Sequence, residues 1–151
     1  MKDHPTSEPK EQHAILISCI DARLLDETVV FMNSQKLNNK YYHLTLAGCS
    51  LDQIKHEHYI KDQVELIIDI LGSKGHNLDF VYILEHRDCA AYAKVFPKIK
   101  PNTLKETQVH KKYAGELEKK VKKWTKAKKQ TPIIKSFIMK DARKQHLADA
   151  L

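Results

Sequence analysis

The sequence is poor in several features that mark protein classes. Its three cysteines, Cys19, Cys49 and Cys89, are too few and odd in number for a disulfide framework, so a metal-binding or catalytic thiolate is the better use for them. Four Gly and five Pro exclude collagen-like and low-complexity chains. No apolar run approaches the roughly 18 to 20 residues of a membrane-spanning helix. The polar start MKDHPTSEPKEQH has no apolar middle of the kind a secretory signal carries, so the expectation is a cytoplasmic protein with no membrane partner. What is present, 42% hydrophobic and 30% charged residues in 151, is the composition of one folded domain over 1–151, with 1–13 expected as a flexible leader.

The net charge of +7 is unevenly placed: residues 1–93 carry a net −5, 94–130 a net +10 and 131–151 a net +2. The basic segment includes EKKVKKWTKAKK, where Leu117, Val121 and Trp124 recur at helical spacing among lysines, the pattern of an amphipathic helix. Such a helix either meets nucleic acid or lies outermost, its lysine stems covering the apolar stripe. Without interleaved aromatic residues or a binding motif the second is preferred, and no nucleic-acid partner is expected.

AILIS at 14–18 suits a strand buried on both faces. LLDETVVFMNSQKLNN has the mixed periodicity of a modest helix ending near Asn38 and Asn39, and YYHLTL at 41–46 reads as a second strand. Ser50 and Gln53 have capping-box spacing, and Ile60, Val64, Ile67, Ile68 and Leu71 mark one face of a helix over about 51–72, stopped by Gly72 and Gly75. FVYILE at 80–85, ending at His86, and IIKSFIM at 133–139 complete the strands. The alternation predicts an α/β fold, a mainly parallel sheet of about four strands flanked by helices. Parallel strands bring their carboxyl ends to one edge, where ligands bind, and Cys19 and His86 both fall at such ends.

Three pieces meet at that edge: CIDAR with Cys19, Asp21 and Arg23, the pair Ala47 and Gly48, and HRDC from His86 to Cys89. Residues three apart at the start of a helical turn project to one side, so His86 and Cys89 can share a metal ion with Cys19 from the other strand end. Two thiolates and an imidazole select Zn²⁺, and three protein ligands leave a fourth position for water, whose pKa an open zinc lowers towards ~7. Asp21, gripped by Arg23, either accepts the proton of the zinc-bound oxygen and orients it or takes the fourth position itself.

In this order and with these separations, C-x-D-x-R, the A-G pair and H-x-x-C resemble the β-class carbonic anhydrases over roughly residues 14–92. The resemblance implies the α/β fold, a homodimer or higher homo-oligomer, zinc on Cys19, His86 and Cys89, an Asp21 and Arg23 catalytic dyad, and Gly48 beside the substrate. It also implies a lyase that reversibly hydrates carbon dioxide to bicarbonate. Where the family carries R-N-A-G-N this chain has Thr45, Leu46, Ala47, Gly48 and Cys49, and Ala90 replaces a Gly after the second cysteine. The leader before Ala14 is expected to be too short for the family's N-terminal helical arm. Two alternatives therefore stay open. One is a zinc hydrolase or hydratase for another small electrophile, such as carbonyl sulfide or carbon disulfide. The other is a non-catalytic zinc-stabilised domain that binds a partner through the Lys94 to Lys129 surface.

Other chemistry-bearing residues receive bland assignments. Cys49 is a small residue at the start of a helix, His56 and His58 are exposed, Arg87 and Asp88 either point away from the ligands or tie down the loop, and Tyr92 packs. His13, His43, His76, His110 and His146 show no ligand-like grouping along the sequence and receive no role.

Overall fold

Apolar runs become strands and amphipathic stretches become helices in the computed structural model, which describes residues 10–140 and 148–151. In chain order these are β1 (Ala14–Cys19), α1 (Leu25–Ser34), β2 (Tyr41–Leu46), α2 (Gln53–Ser73), β3 (Phe80–His86), α3 (Ala90–Val95), α4 (Leu104–Ala127), β4 (Ile133–Met139) and β5 (Asp149–Ala150). Turns of 3-10 helix at Ala22–Leu24 and Cys49–Asp52 lead into α1 and α2. Residues 1–9 of the expected leader, and His146, lie outside the described residues.

The sheet has the order β2-β1-β3-β4-β5, with four parallel strands and β5 antiparallel to β4. From β1 the chain first builds outward to β2, then returns to place β3 on the other side. The order therefore reverses between β1 and β3, and the crevice at their carboxyl ends is where such sheets bind ligands. All of β1 and all but the first residue of β3 are buried, which explains why both read as unbroken apolar runs rather than alternating ones.

On one face Phe31 of α1 packs edge-on against Tyr82 of β3 and Phe137 of β4, with ring centroids 6.0 and 5.1 Å apart. On the other, Ser136 of β4 donates to Glu118 of α4. The stripe Ala114, Leu117, Val121 and Trp124 buries α4 against the fold, as its spacing predicts. The basic helix and the acidic first half meet here: Lys120 pairs with Glu57 at 2.8 Å and Lys128 with Asp69 at 2.7 Å, joining α4 to α2. Among the described residues no helix is long and apolar enough to cross a membrane.

Two expectations need correction. Ser50 and Gln53 form no capping box: the Ser50 hydroxyl meets Tyr92 Oη at 3.2 Å, its N–H donates to Glu85 at 3.0 Å, and Gln53 Nε2 donates to Ser50 O and Tyr113 O. Buried partners from β3 and α3 outcompete the local cap, and a 3-10 turn stands in its place. The first helix stops at Ser34, short of Asn38 and Asn39, because Lys36, just past its end, adopts a left-handed φ of 61°. The mainly parallel sheet of about four strands is as expected, with the two-residue β5 added at its edge by pairing with β4.

Candidate metal centre

β1 and β3 are hydrogen-bonded neighbours, with Ser18 opposite Leu84, so Cys19 and His86 leave the sheet at the same edge. Beyond His86 the chain is turned back by a short, heavily anchored loop. Arg87 N–H donates to Met139 O at 3.0 Å, and its Nε to Thr107 Oγ1 at 2.9 Å. Asp88 takes a left-handed φ of 56° and donates its N–H to Glu106 at 2.8 Å. Cys89, the residue before α3, is thereby swung over the end of β1, its Sγ 4.0 Å from Cys19 Sγ. The ligating atoms of Cys19, His86 and Cys89 all lie within 4.8 Å of one another, and all three residues are buried.

The donor chemistry fits a metal. His86 Nδ1 is 2.9 Å from Arg87 O. A carbonyl only accepts, so Nδ1 carries the hydrogen and Nε2 of the neutral ring is a bare lone pair. That Nε2 is buried with no hydrogen-bond partner among the described residues. An orphaned buried acceptor costs ~1–3 kcal/mol, whereas an imidazole fixed through its other nitrogen is the usual form of a metal-ligating histidine. Two thiolates on one tetrahedral ion at about 2.3 Å stand about 3.8 Å apart, close to the 4.0 Å found. The hydrogen bond from Cys89 holds the Cys19 thiol down at about 4 despite burial, and raises Cys89 in turn: the pair sheds one proton readily and keeps the second.

Asp21 and Arg23 stand over this cluster. Asp21 Oδ1 accepts from Arg23 N–H and Nε, both at 3.0 Å, and Oδ2 from Nη2 at 2.6 Å. The Arg23 guanidinium is the main reason the Asp21 carboxyl sits at about 2. Arg23 also reaches Asp88, with Nη1 3.2 Å from Oδ2 and Nη2 3.0 Å from the carbonyl, so one side chain ties the loop after Cys19 to the loop before Cys89. Asp21 Oδ2 is 3.9 Å from the unpartnered His86 Nε2 and so faces the same space as the ligand atoms.

Gly48 takes φ 83°, and a Cβ there would come within 3.0 Å of Ala91 Cβ. Only glycine lets this strand end approach α3 so closely, and the Gly48 N–H faces the Cys19 sulfur. Cys49 is fully buried beside it, its thiol donating to Ile17 O, and stands outside the Cys19, His86 and Cys89 cluster. His56 and His58 are exposed, as their spacing predicts.

The expectation that His110 has no role needs correction. It is fully buried, with Nδ1 2.7 Å from Glu85 Oε2, Nε2 3.8 Å from Glu106 Oε1, and the Tyr92 ring against it at 3.7 Å between centroids. Burial pushes His110 down, but the two carboxylates outweigh it and raise it. Glu106, pushed up by burial, is held below the usual range by His110 and by the N–H groups of Asn102 and Asp88. This network clamps α4 to the loop between His86 and Cys89. One signal was available: Glu106 and His110 continue the buried stripe of Ala114 and Leu117 backward at helical spacing, two titratable residues on an apolar face. Beside Cys89 lies a cavity of about 50 Å³ walled mainly by Tyr92, Phe96, Ile99 and Val109.

A sequence model of a family described as "Putative carbonic anhydrase" matches residues 9–147. An uncharacterised protein of Rickettsia bellii is 35% identical over 106 residues, covering 66% of this chain and 62% of that protein. Another, of Rickettsia conorii, is 36% identical over 102 residues, covering 66% of this chain and 54% of its own length. The chain thus spans between half and two thirds of the curated relatives it matches. No solved structure gives a significant match.

Proposed function

We propose that the chain, which belongs to the family described as "Putative carbonic anhydrase", holds one zinc ion on Cys19, His86 and Cys89 and is a lyase interconverting carbon dioxide and bicarbonate. The observation that carries this reading is the buried, unpartnered Nε2 of His86 aimed into the space bounded by the two cysteine sulfurs. Zinc with three protein ligands supplies Lewis acidity that makes water nucleophilic near neutral pH.

The chain's own residues do the rest. Arg23 keeps Asp21 ionised and turned inward, and a carboxyl held at about 2 is a poor proton store but a constant acceptor. Its role is to orient the attacking oxygen through a hydrogen bond. Should Asp21 instead bind the metal, the same Arg23 contacts are what draw it off. Gly48 borders the substrate position with its backbone, while its missing side chain lets this strand end pack against Ala91 and Leu51. The small, mainly apolar cavity beside Cys89, walled by Tyr92, Phe96, Ile99 and Val109, limits a substrate there to a few uncharged heavy atoms. Carbonyl sulfide and carbon disulfide meet the same limit, and buried Leu46 at the end of β2 favours testing them. The homodimer or higher homo-oligomer that the resemblance implies is read by sedimentation.

Metal analysis joined to stopped-flow carbon dioxide hydration tests the reading. The zinc-loaded chain hydrates carbon dioxide, and Cys89→Ser loses both the thiolate-bound zinc and the activity. A chain with this zinc bound that hydrates carbon dioxide no faster than free zinc, while consuming carbonyl sulfide or carbon disulfide, would move the activity to those substrates. Unchanged zinc content in Cys89→Ser refutes the site.

A further inference from the structure

Among the described residues, a second group brings three ligand atoms within 4.8 Å of one another: Glu11, His13 and His76. It lies at the opposite edge of the sheet. His13 immediately precedes β1 and Cys19 ends it, so the two clusters are separated by about six strand residues, or ~20 Å. Nothing in the linear spacing groups these residues, because His13 and His76 are brought together only by the pairing of β1 with β3.

Both imidazoles rise from fixed backbone. The His13 carbonyl accepts from the N–H groups of Asp79 and Phe80 at 2.9 and 3.2 Å, and its own N–H donates to Asp79 Oδ2 at 3.0 Å. His76 follows Gly75, whose φ of 74° ends the turn after α2, and its N–H donates to Leu71 O at 2.9 Å. The two rings lie 4.3 Å apart at 48°, tilted rather than stacked flat. His13 Nε2 is buried and has no hydrogen-bond partner among the described residues, and the nearest Glu11 carboxylate oxygen is 3.9 Å away, too far to serve as one. It is in the same condition as His86 Nε2, which faces the first cluster.

We propose that Glu11, His13 and His76 form a second metal site, taking a divalent first-row transition ion such as Zn²⁺ through two imidazoles and a carboxylate. The two imidazole nitrogens are borderline donors and, with one hard carboxylate oxygen, suit Zn²⁺, Co²⁺ or Ni²⁺ over Mg²⁺ and Ca²⁺, which take oxygen ligands; three protein ligands leave one position to water. Glu11 is half-exposed and closes over two pre-placed histidines. An ion there would pin the residues ahead of β1 to the turn ahead of β3.

The full chain carries the test, because the sites differ in donor atoms. Only the cysteine site gives the near-ultraviolet thiolate-to-cobalt absorption, so Co²⁺ titration followed optically separates them, with Zn²⁺ bound at equilibrium counted by metal analysis. The expected result is two zinc equivalents per chain, falling to one in His76→Ala with the thiolate absorption unchanged. In Cys89→Ser the absorption is lost and a histidine-dependent equivalent remains. A chain that binds one equivalent, insensitive to His76→Ala and to Glu11→Gln, overturns this inference and leaves the cysteine site standing. One equivalent that His76→Ala removes, with no thiolate absorption, upholds this inference and overturns the cysteine site.

Discussion

His110 and Glu85 are the most consequential pair outside the ligand set, and a double-mutant cycle measures what they do. Their 2.7 Å contact is closed to solvent on both sides, Glu85 being 1% exposed and His110 0%. His110→Phe keeps a ring against Tyr92 but turns an apolar face to Glu85 and Glu106. Removing one partner of a buried ion pair costs ~3–5 kcal/mol, taken here at the low end because Glu85 keeps the Ser50 N–H at 3.0 Å. In a domain of this size about 3 kcal/mol lowers Tm by ~6–12 °C. Glu85→Gln removes the charge and keeps the shape. The double variant should recover part of the loss, a coupling of ~2 kcal/mol or more, since residues in direct contact do not add. The pH dependence carries the sign. His110 is raised in the fold, so its contribution is complete below its ordinary value of 6.5 and is lost as pH rises through the raised value. Glu106 is lowered, so its contribution is present above its ordinary 4.5 and is lost as pH falls through the lowered value. Urea unfolding of the four proteins should therefore give a larger His110–Glu85 coupling at pH 6 than at pH 10, because His110 loses its proton as pH rises through its raised value. Coupling under about 0.5 kcal/mol at pH 6, or equal coupling at pH 6 and pH 10, refutes the charged network.

Two further substitutions probe the site's frame. Gly48→Ala places a Cβ 3.0 Å from Ala91 Cβ on a left-handed backbone, and should cost ~1–3 kcal/mol in urea unfolding while loosening the ligand loop; a change within about 0.5 kcal/mol contradicts the close approach. Arg23→Lys keeps a positive charge but cannot grip Asp21 and Asp88 together with a planar fork. It should lower kcat for carbon dioxide hydration about tenfold or more while zinc content holds, and an unchanged kcat removes the orienting role of Asp21.

What the sequence made legible follows from how local each signal is. β1 and β3 are buried on both faces, so their runs stand out without context, and the register of parallel neighbours then puts Cys19 and His86 at one edge. Cys89 lies three residues beyond His86, and its place over β1 follows from a left-handed Asp88 and a clamped loop, features that H-x-x-C spacing hints at but does not state. The failures share one cause, which is tertiary partners. Ser50 and Gln53 satisfy a local capping rule, but a buried carboxylate and a buried phenol claim Ser50 first. His110 is polar on an apolar stripe, and what makes it tolerable there, Glu85 on one side and Glu106 on the other, comes from a strand and from its own helix a turn back. His13 and His76 are 63 positions apart in the numbering and meet only because β1 and β3 pair. The same logic gives the lopsided charge its meaning. Read linearly, the net +10 segment is an outermost helix rather than a surface for an anionic partner, and in the fold Lys120 and Lys128 are paired with Glu57 and Asp69 of α2. Part of that basic charge answers the acidic half of the same chain. A polyanion assay should accordingly respond first to Lys122→Glu and Lys123→Glu, outside those pairs, and a loss of binding confined to Lys120→Glu would contradict the assignment.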